Sequence, residues 1–182
     1  MRLFVALEPP EVLKAELTQA LGSLQKQSRG GINWVKPQNL HLTLLFIGEV
    51  PDHQVQAVAQ AAETRAKNFD APALKAQGLD LFPARDPRLL WLKLNEAEPS
   101  LTKLNRLLLN DLRELQLDPD SKALKLHITL GRIKNPQTPD FERSALSYPI
   151  AGDIQRWDTL TLYRSTLKPD GPVYNSIQQY YL

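Results

Sequence analysis

Hydrophobic and polar positions along this chain follow two periods, and the places where one yields to the other mark out its elements. Arg2–Leu7 is a short apolar run stopped by Pro9-Pro10, which predicts a strand. From Glu11 to about Gln27, Leu13, Leu17, Ala20, Leu21 and Leu24 recur at helical spacing, with prolines ahead and Gly30-Gly31 behind. Asn33–Val35 is a brief strand, and an alternating strand from Leu40 runs to Phe46 or Ile47 before Gly48. Asp52 stands where it can cap a helix reaching about Asn68, with Val55, Val58, Ala59 and Ala62 as its apolar stripe. Ala73–Phe82 predicts a strand with a bulge at Gly78, and Pro83–Pro87 a turn. Arg88–Leu94 is the next strand. Leu101, Leu104, Leu108, Leu112 and Leu115 then give a helix with Pro99 in its first turn, ending near Leu117, and this stripe is core. After a turn at Asp118-Pro119-Asp120 comes a second alternating strand at Leu126–Leu130. Thr161–Tyr163 and Val173–Tyr181 close the chain as strands joined by a turn at Pro169–Gly171.

Two of these stretches are twins. Leu40-His41-Leu42-Thr43-Leu44 puts three leucines on one face of a strand and His41 with Thr43 on the other. Leu126-His127-Ile128-Thr129-Leu130 does the same with His127 and Thr129. Core packing needs only the apolar half of that pattern, so an imidazole beside a hydroxyl, twice on the polar face, points to a site. The histidines stand 86 residues apart, and the same offset carries Arg2 onto Arg88, so strand, helix and His-strand recur as a unit. The expected fold is α+β: a bilobal, duplicated molecule with two mostly antiparallel sheets facing a central groove and helices outside. One His-Thr pair lines each wall. No linker, low-complexity tract or charged tail interrupts residues 1–182, so they are expected to form one domain of two interlocked lobes.

Composition narrows the chemistry. A chain of 182 residues with 42% apolar content can bury a full core. Its formal charge of +2 suits a polyanionic ligand without requiring one. The absence of cysteine removes disulfides, thiolate metal sites and a Cys nucleophile, and fits a reducing compartment. Leu3–Leu7 is too short for a signal segment and no apolar run reaches membrane-spanning length. The expectation is a soluble, cytoplasmic monomer.

Histidine exchanges protons near neutrality, and two facing each other can serve as general base and general acid in one displacement. With Thr43 and Thr129 supplying hydroxyls, the pair makes a cradle for a tetrahedral anion, hence phosphate. No committed nucleophile or metal-ligand set accompanies them, which leaves attack on phosphorus by water or a ribose hydroxyl without metal or cofactor. Arg132 lies five residues past His127, where strict alternation points it at the core; Gly131 is a place for the strand to kink and bring the guanidinium round to the phosphate. Phe46 holds the equivalent position in the first half, where core packing is expected and stacking on a base is the alternative. His53, the third histidine, reads as a surface residue. Lys122, Lys125 and Lys134 flank the second motif as a basic rim or a merely solvated loop.

On these residues the chain resembles the two-histidine phosphoesterases, and within them the LigT-like RNA 2′,3′-cyclic phosphodiesterases, historically called 2′-5′ RNA ligases. The resemblance spans nearly the whole chain: Arg2-Leu3-Phe4-Val5-Ala6-Leu7, Trp34 to Leu44 with Phe46 and Gly48, and Gly78 with Phe82-Pro83. It continues at Pro87-Arg88, Leu90-Trp91, His127 to Arg132, Leu162 to Ser165 and Gly171 to Tyr174. The paired His-x-Thr-x motifs are its specific part. Leu126 departs from the pattern, which usually has proline before the second histidine. The resemblance implies metal-independent opening of an RNA-terminal 2′,3′-cyclic phosphate to a 2′-phosphate. It implies His41 as proton donor to the departing O3′, His127 as the proton acceptor that activates water, and Thr43, Thr129 and Arg132 on the phosphate oxygens. The near-symmetric motifs do not themselves distinguish acid from base.

Other activities fit the same residues. Joining RNA ends through a 2′-5′ bond is the reverse displacement, with a ribose hydroxyl in place of water, and small cyclic nucleotides are an alternative substrate class. A non-catalytic RNA-end-binding module belongs to another class, but holding phosphate needs only Arg and Lys rather than two titrating imidazoles. A His-based metal site has little to draw on: three histidines, no cysteine and no tight His spacing.

Overall fold

Prolines and paired glycines end the first elements where the pattern places them. In the computed structural model, which describes residues 1–28, 30–134, 146–168 and 171–182, β1 (Arg2–Leu7) leads to α1 (Glu11–Gln27), β2 (Ile32–Trp34) and β3 (Leu42–Glu49). Then come α2 (Val55–Lys67), β4 (Ala73–Phe82), β5 (Leu89–Glu96), α3 (Ser100–Glu114) and β6 (His127–Ile133). The chain closes with β7 (Ile154–Arg156), β8 (Thr159–Lys168) and β9 (Gly171–Tyr181). Short 3-10 turns occupy Pro37–Asn39 and Asp52–Gln54. Of the expected turn at Pro169–Gly171, Pro169 and Asp170 lie outside the described residues.

The strands form two antiparallel sheets, ordered β3-β1-β8-β9 and β2-β6-β5-β4-β7. This is the α+β, two-sheet architecture expected from the repeat. In β1-α1-β3 and again in β5-α3-β6, the outer strands of the unit pair with each other as neighbours. The halves also exchange parts, for a physical reason: each two-stranded unit leaves edges and an apolar face to cover. β2, from the first half, pairs with β6 at the edge of the second sheet. In return α3 lies on β3, where Asn105 Nδ2 donates to the Leu44 carbonyl at 2.7 Å. α2 packs on α3 and β9, and Arg65 grips both carboxylate oxygens of Asp111 across the helix pair. One continuous apolar core takes Leu7, Leu17, Leu44, Ala62, Leu92 and Leu108, among others, from both sheets and from α1, α2 and α3. No helix among the described residues is long and apolar enough to cross a membrane.

Two helix starts differ from the sequence expectation. Pro51, fixed at φ −58°, opens a 3-10 turn one step early, so Asp52 sits within that turn and caps nothing. Pro99 stands just before α3 rather than inside it, and the Glu96 carboxylate receives the amide N–H groups of Ser100 and Leu101 at 3.1 Å. The bulge at Gly78 is present, with that residue at φ +119°.

Candidate active site

The two motifs fold alike down to a single residue. In β3, Thr43 pairs with Ala6 and Leu45 with Val5, which leaves Leu44 as the extra residue of a β-bulge. In β6, Thr129 pairs with Trp91 and Gly131 with Leu90, which leaves Leu130 extra. Each bulge lies three residues after its histidine and shifts the alternation by one. From Leu42 the burial runs buried, half-buried, buried, buried, exposed, buried, and from Ile128 it is the same. The consequence is at Phe46 and Arg132, which strict alternation sends into the core and the bulges return to the polar face. Phe46, 48% exposed, is therefore not a core residue, and the core expectation for it is corrected. Arg132 reaches the same face through the bulge at Leu130 rather than a kink at Gly131. The glycine has another use, since a Cβ there would lie 2.6 Å from Ile32 Cγ2 of the neighbouring β2.

β3 and β6 lie against each other, and their polar faces meet in a cleft of about 600 Å³. His41, Thr43, Phe46, His127, Thr129 and Arg132, named from the sequence, all line it. His41 stands just before β3 rather than within it, because its partner strand β1 pairs no further than Leu7 with Leu42. Both imidazoles are anchored by one device. His41 Nδ1 donates to the carbonyl of Asn39 at 2.7 Å, and His127 Nδ1 to the carbonyl of Lys125 at 2.8 Å, each two residues upstream. A carbonyl only accepts, so Nδ1 carries the proton and Nε2 is left to exchange one. The Thr43 hydroxyl lies 3.0 Å from His41 Nε2.

Aromatic rings from the neighbouring strands back both imidazoles: Phe4 at 5.0 Å from His41 and Trp91 at 4.6 Å from His127, centroid to centroid. Tyr174 of β9 meets His41 edge-on at 5.3 Å. This apolar backing governs the titration. Burial lowers His41 to about 4, against the pull of the Asn39 carbonyl, with His127 and Arg132 adding repulsion and Glu8 some attraction. His127 is lowered too, by burial first, then by Lys125 and Arg132, against its bond to the Lys125 carbonyl. Glu8 Oε1 accepts from Thr161 at 2.6 Å, Gln179 at 2.7 Å and Tyr163 at 2.9 Å. Burial would raise that carboxyl, but the three bonds together with Lys14 hold it below its usual range. Burial pushes the Tyr174 phenol up, partly offset by the facing Arg132 guanidinium.

His53 is exposed, as its place at a helix start suggests. Of the suggested basic rim, Lys122 pairs with Asp120 at 3.1 Å and the Lys125 ammonium lies 4.0 Å from the centre of the Phe82 ring. Neither they nor Lys134 line the cleft. The cleft is lined instead by Lys36, Lys168, Trp34 and Tyr174, to which residue spacing gave no chemical role. Trp34, Lys36 and Tyr174 lie in or near stretches that carried the resemblance, and that was their only signal.

Two antiparallel sheets facing across a cleft, with a duplicated histidine motif on its walls, define a bilobal fold of phosphoesterase type. Residues 7–91 match the family described as LigT like phosphoesterase. Over 181 residues, 98% of each chain, the protein is 32% identical to an RNA 2′,3′-cyclic phosphodiesterase of Archaeoglobus fulgidus. Its identity to the RNA 2′,3′-cyclic phosphodiesterase of Thermus thermophilus is 34%, covering 100% of this chain and 90% of the other. The crystal structure of the Thermus thermophilus protein TT0787 superposes with a TM-score of 0.82 at 31% identity, covering 100% of this chain and 98% of that one. The chain belongs to the LigT-like phosphoesterase family.

Proposed function

We propose that this protein hydrolyses the 2′,3′-cyclic phosphate at the end of an RNA to a terminal 2′-phosphate, with His41 and His127 as an acid–base pair and no metal. The observation that carries this proposal is the shared anchoring of the two imidazoles, which holds each Nδ1 on a backbone carbonyl and leaves Nε2 as the proton-exchanging nitrogen on each wall of one cleft, that of His41 beside the Thr43 hydroxyl. The activity named for the full-length relatives supports the substrate. His127 Nε2 takes a proton from water as the water oxygen bonds to phosphorus. The P–O3′ bond breaks, and His41 gives its Nε2 proton to O3′, leaving the phosphate on O2′. Thr43, Thr129 and Arg132 hold the phosphate oxygens, where charge builds as the displacement proceeds. Phe46 offers its exposed ring to the terminal base.

This chemistry needs one imidazole charged and one neutral, whereas burial keeps both neutral at pH 7 in the free protein. The anionic substrate supplies the compensation: its charge offsets Arg132 and raises the imidazole it faces. The working unit is one domain and one copy, since β2, β8 and β9 complete both walls from the same chain. The test is to incubate the protein and a chelator with an RNA ending in a 2′,3′-cyclic phosphate. A 2′-phosphomonoester end is expected. A 3′-phosphate, or loss of activity to the chelator, would overturn the assignment.

A further inference from the structure

The cleft carries more positive charge than one cyclic phosphate uses. The chain as a whole is nearly balanced, with 22 basic and 20 acidic residues, yet among the described residues no carboxylate lines the cleft, while Arg132, Lys36 and Lys168 do. A 2′,3′-cyclic phosphate is a monoanion, and Arg132 with the two threonines answers it. The two lysines come from distant parts of the chain and line the same cleft. Lys36 follows β2, where the Val35 N–H bonds to the Leu130 carbonyl at 2.8 Å. Lys168 ends β8 opposite Gly171, the first residue of β9. Asn39 Nδ2 ties the two segments by donating to the Pro172 carbonyl at 3.4 Å. Both lysines are exposed, and neither has an ion-pair partner among the described residues. The same two segments also bring apolar and aromatic residues to the cleft: Trp34, Val35, Pro172 and Val173. Cations interleaved with a ring and apolar surface are what a single nucleic-acid strand requires, its phosphate meeting the charge and its base the ring.

We propose that Lys36 and Lys168 form a second anion subsite, which takes the phosphodiester on the 5′ side of the terminal nucleotide while Trp34 receives the preceding base. The protein is then specific for oligonucleotide ends over free cyclic nucleosides. This specificity presupposes the cyclic-phosphate activity proposed above, so the test separates the two. The first arm compares kcat/KM for adenosine 2′,3′-cyclic phosphate with that for the same compound carrying a 5′-phosphate. The 5′-phosphate is expected to raise kcat/KM about tenfold in the wild type, from two solvated charge pairs, and less than twofold in the double variant K36Q/K168Q. The second arm needs no turnover: adenosine 2′,5′-bisphosphate and adenosine 2′-phosphate are titrated by calorimetry into both proteins. A tenfold preference for the bisphosphate in the wild type, lost in the variant, supports the subsite. No preference in the wild type, or one the variant keeps, overturns it. No turnover of either cyclic compound, with success of the second arm, overturns the hydrolytic activity and leaves the subsite standing; turnover that gains nothing from the 5′-phosphate overturns the subsite.

Discussion

The lowered titration of His41 links the site to folding and sets a magnitude. The imidazole falls from 6.5 to about 4 because Phe4 and its neighbours strip it of water. At 1.36 kcal/mol per unit, a shift of that size corresponds to about 3 kcal/mol. The sign follows from proton counting. Between pH 6.5 and about 4 the unfolded chain binds a proton at this residue that the folded one refuses. The contribution is therefore complete above pH 6.5 and is lost as pH falls toward 4. Glu8, also lowered, acts in the same direction but only below its ordinary value of 4.5. Urea unfolding of the wild type and of His41→Asn across pH 4–8 isolates the term by difference, because Glu8 and His127 are common to both proteins. The wild type is expected to lose about 3 kcal/mol more than the variant between pH 7 and 4, nearly all of it above pH 4.5. Parallel stability curves would refute the burial argument. So would an imidazole ¹⁵N titration placing His41 near 6.5, or showing its neutral proton on Nε2.

Three further outcomes follow from the bulges and the close packing around them. Gly131→Ala puts a methyl 2.6 Å from Ile32 Cγ2, so thermal unfolding should report a loss of about 1–3 kcal/mol, with reduced turnover as Arg132 shifts beside it. Phe46→Ala removes an exposed ring: stability should change by less than about 0.5 kcal/mol while KM for an RNA end rises, and an unchanged KM would remove Phe46 from base contact. Arg132→Lys should fold normally yet lose about 1.5–3 kcal/mol of transition-state stabilisation in kcat/KM, because an ammonium cannot reproduce the planar fork on two phosphate oxygens.

How far the sequence reaches is clearest at the motifs themselves. His41, Thr43, His127 and Thr129 were legible because period-two alternation fixes the face of a strand residue and the repeat supplies a second copy. Alternation failed at Phe46 and Arg132, five residues on, because one extra residue reverses every face beyond it. The adjacent buried pairs Leu44-Leu45 and Leu130-Gly131 are the local sign of that reversal, and they read equally well as ordinary apolar strand. Lys36 and Lys168 were not legible as a pair. Their sharing of one cleft depends on three-residue β2 joining the opposite sheet and on the β8–β9 pair reaching that cleft from the other. The exchange of α3 onto β3 was hidden for a similar reason, since the helix stripe shows that a face is buried but not against which sheet.

The central claim is that two imidazoles divide the proton work on one phosphorus, and the pH dependence of kcat/KM in the two single-histidine variants tests it most directly. The wild type should give a bell with its optimum below pH 6.5, since both imidazoles are lowered in the free protein. His41→Asn, lacking the acid, should lose the alkaline limb, and His127→Asn, lacking the base, should lose the acidic one, each at about 10²–10⁴-fold lower rate. The same bell surviving in either variant would contradict the account.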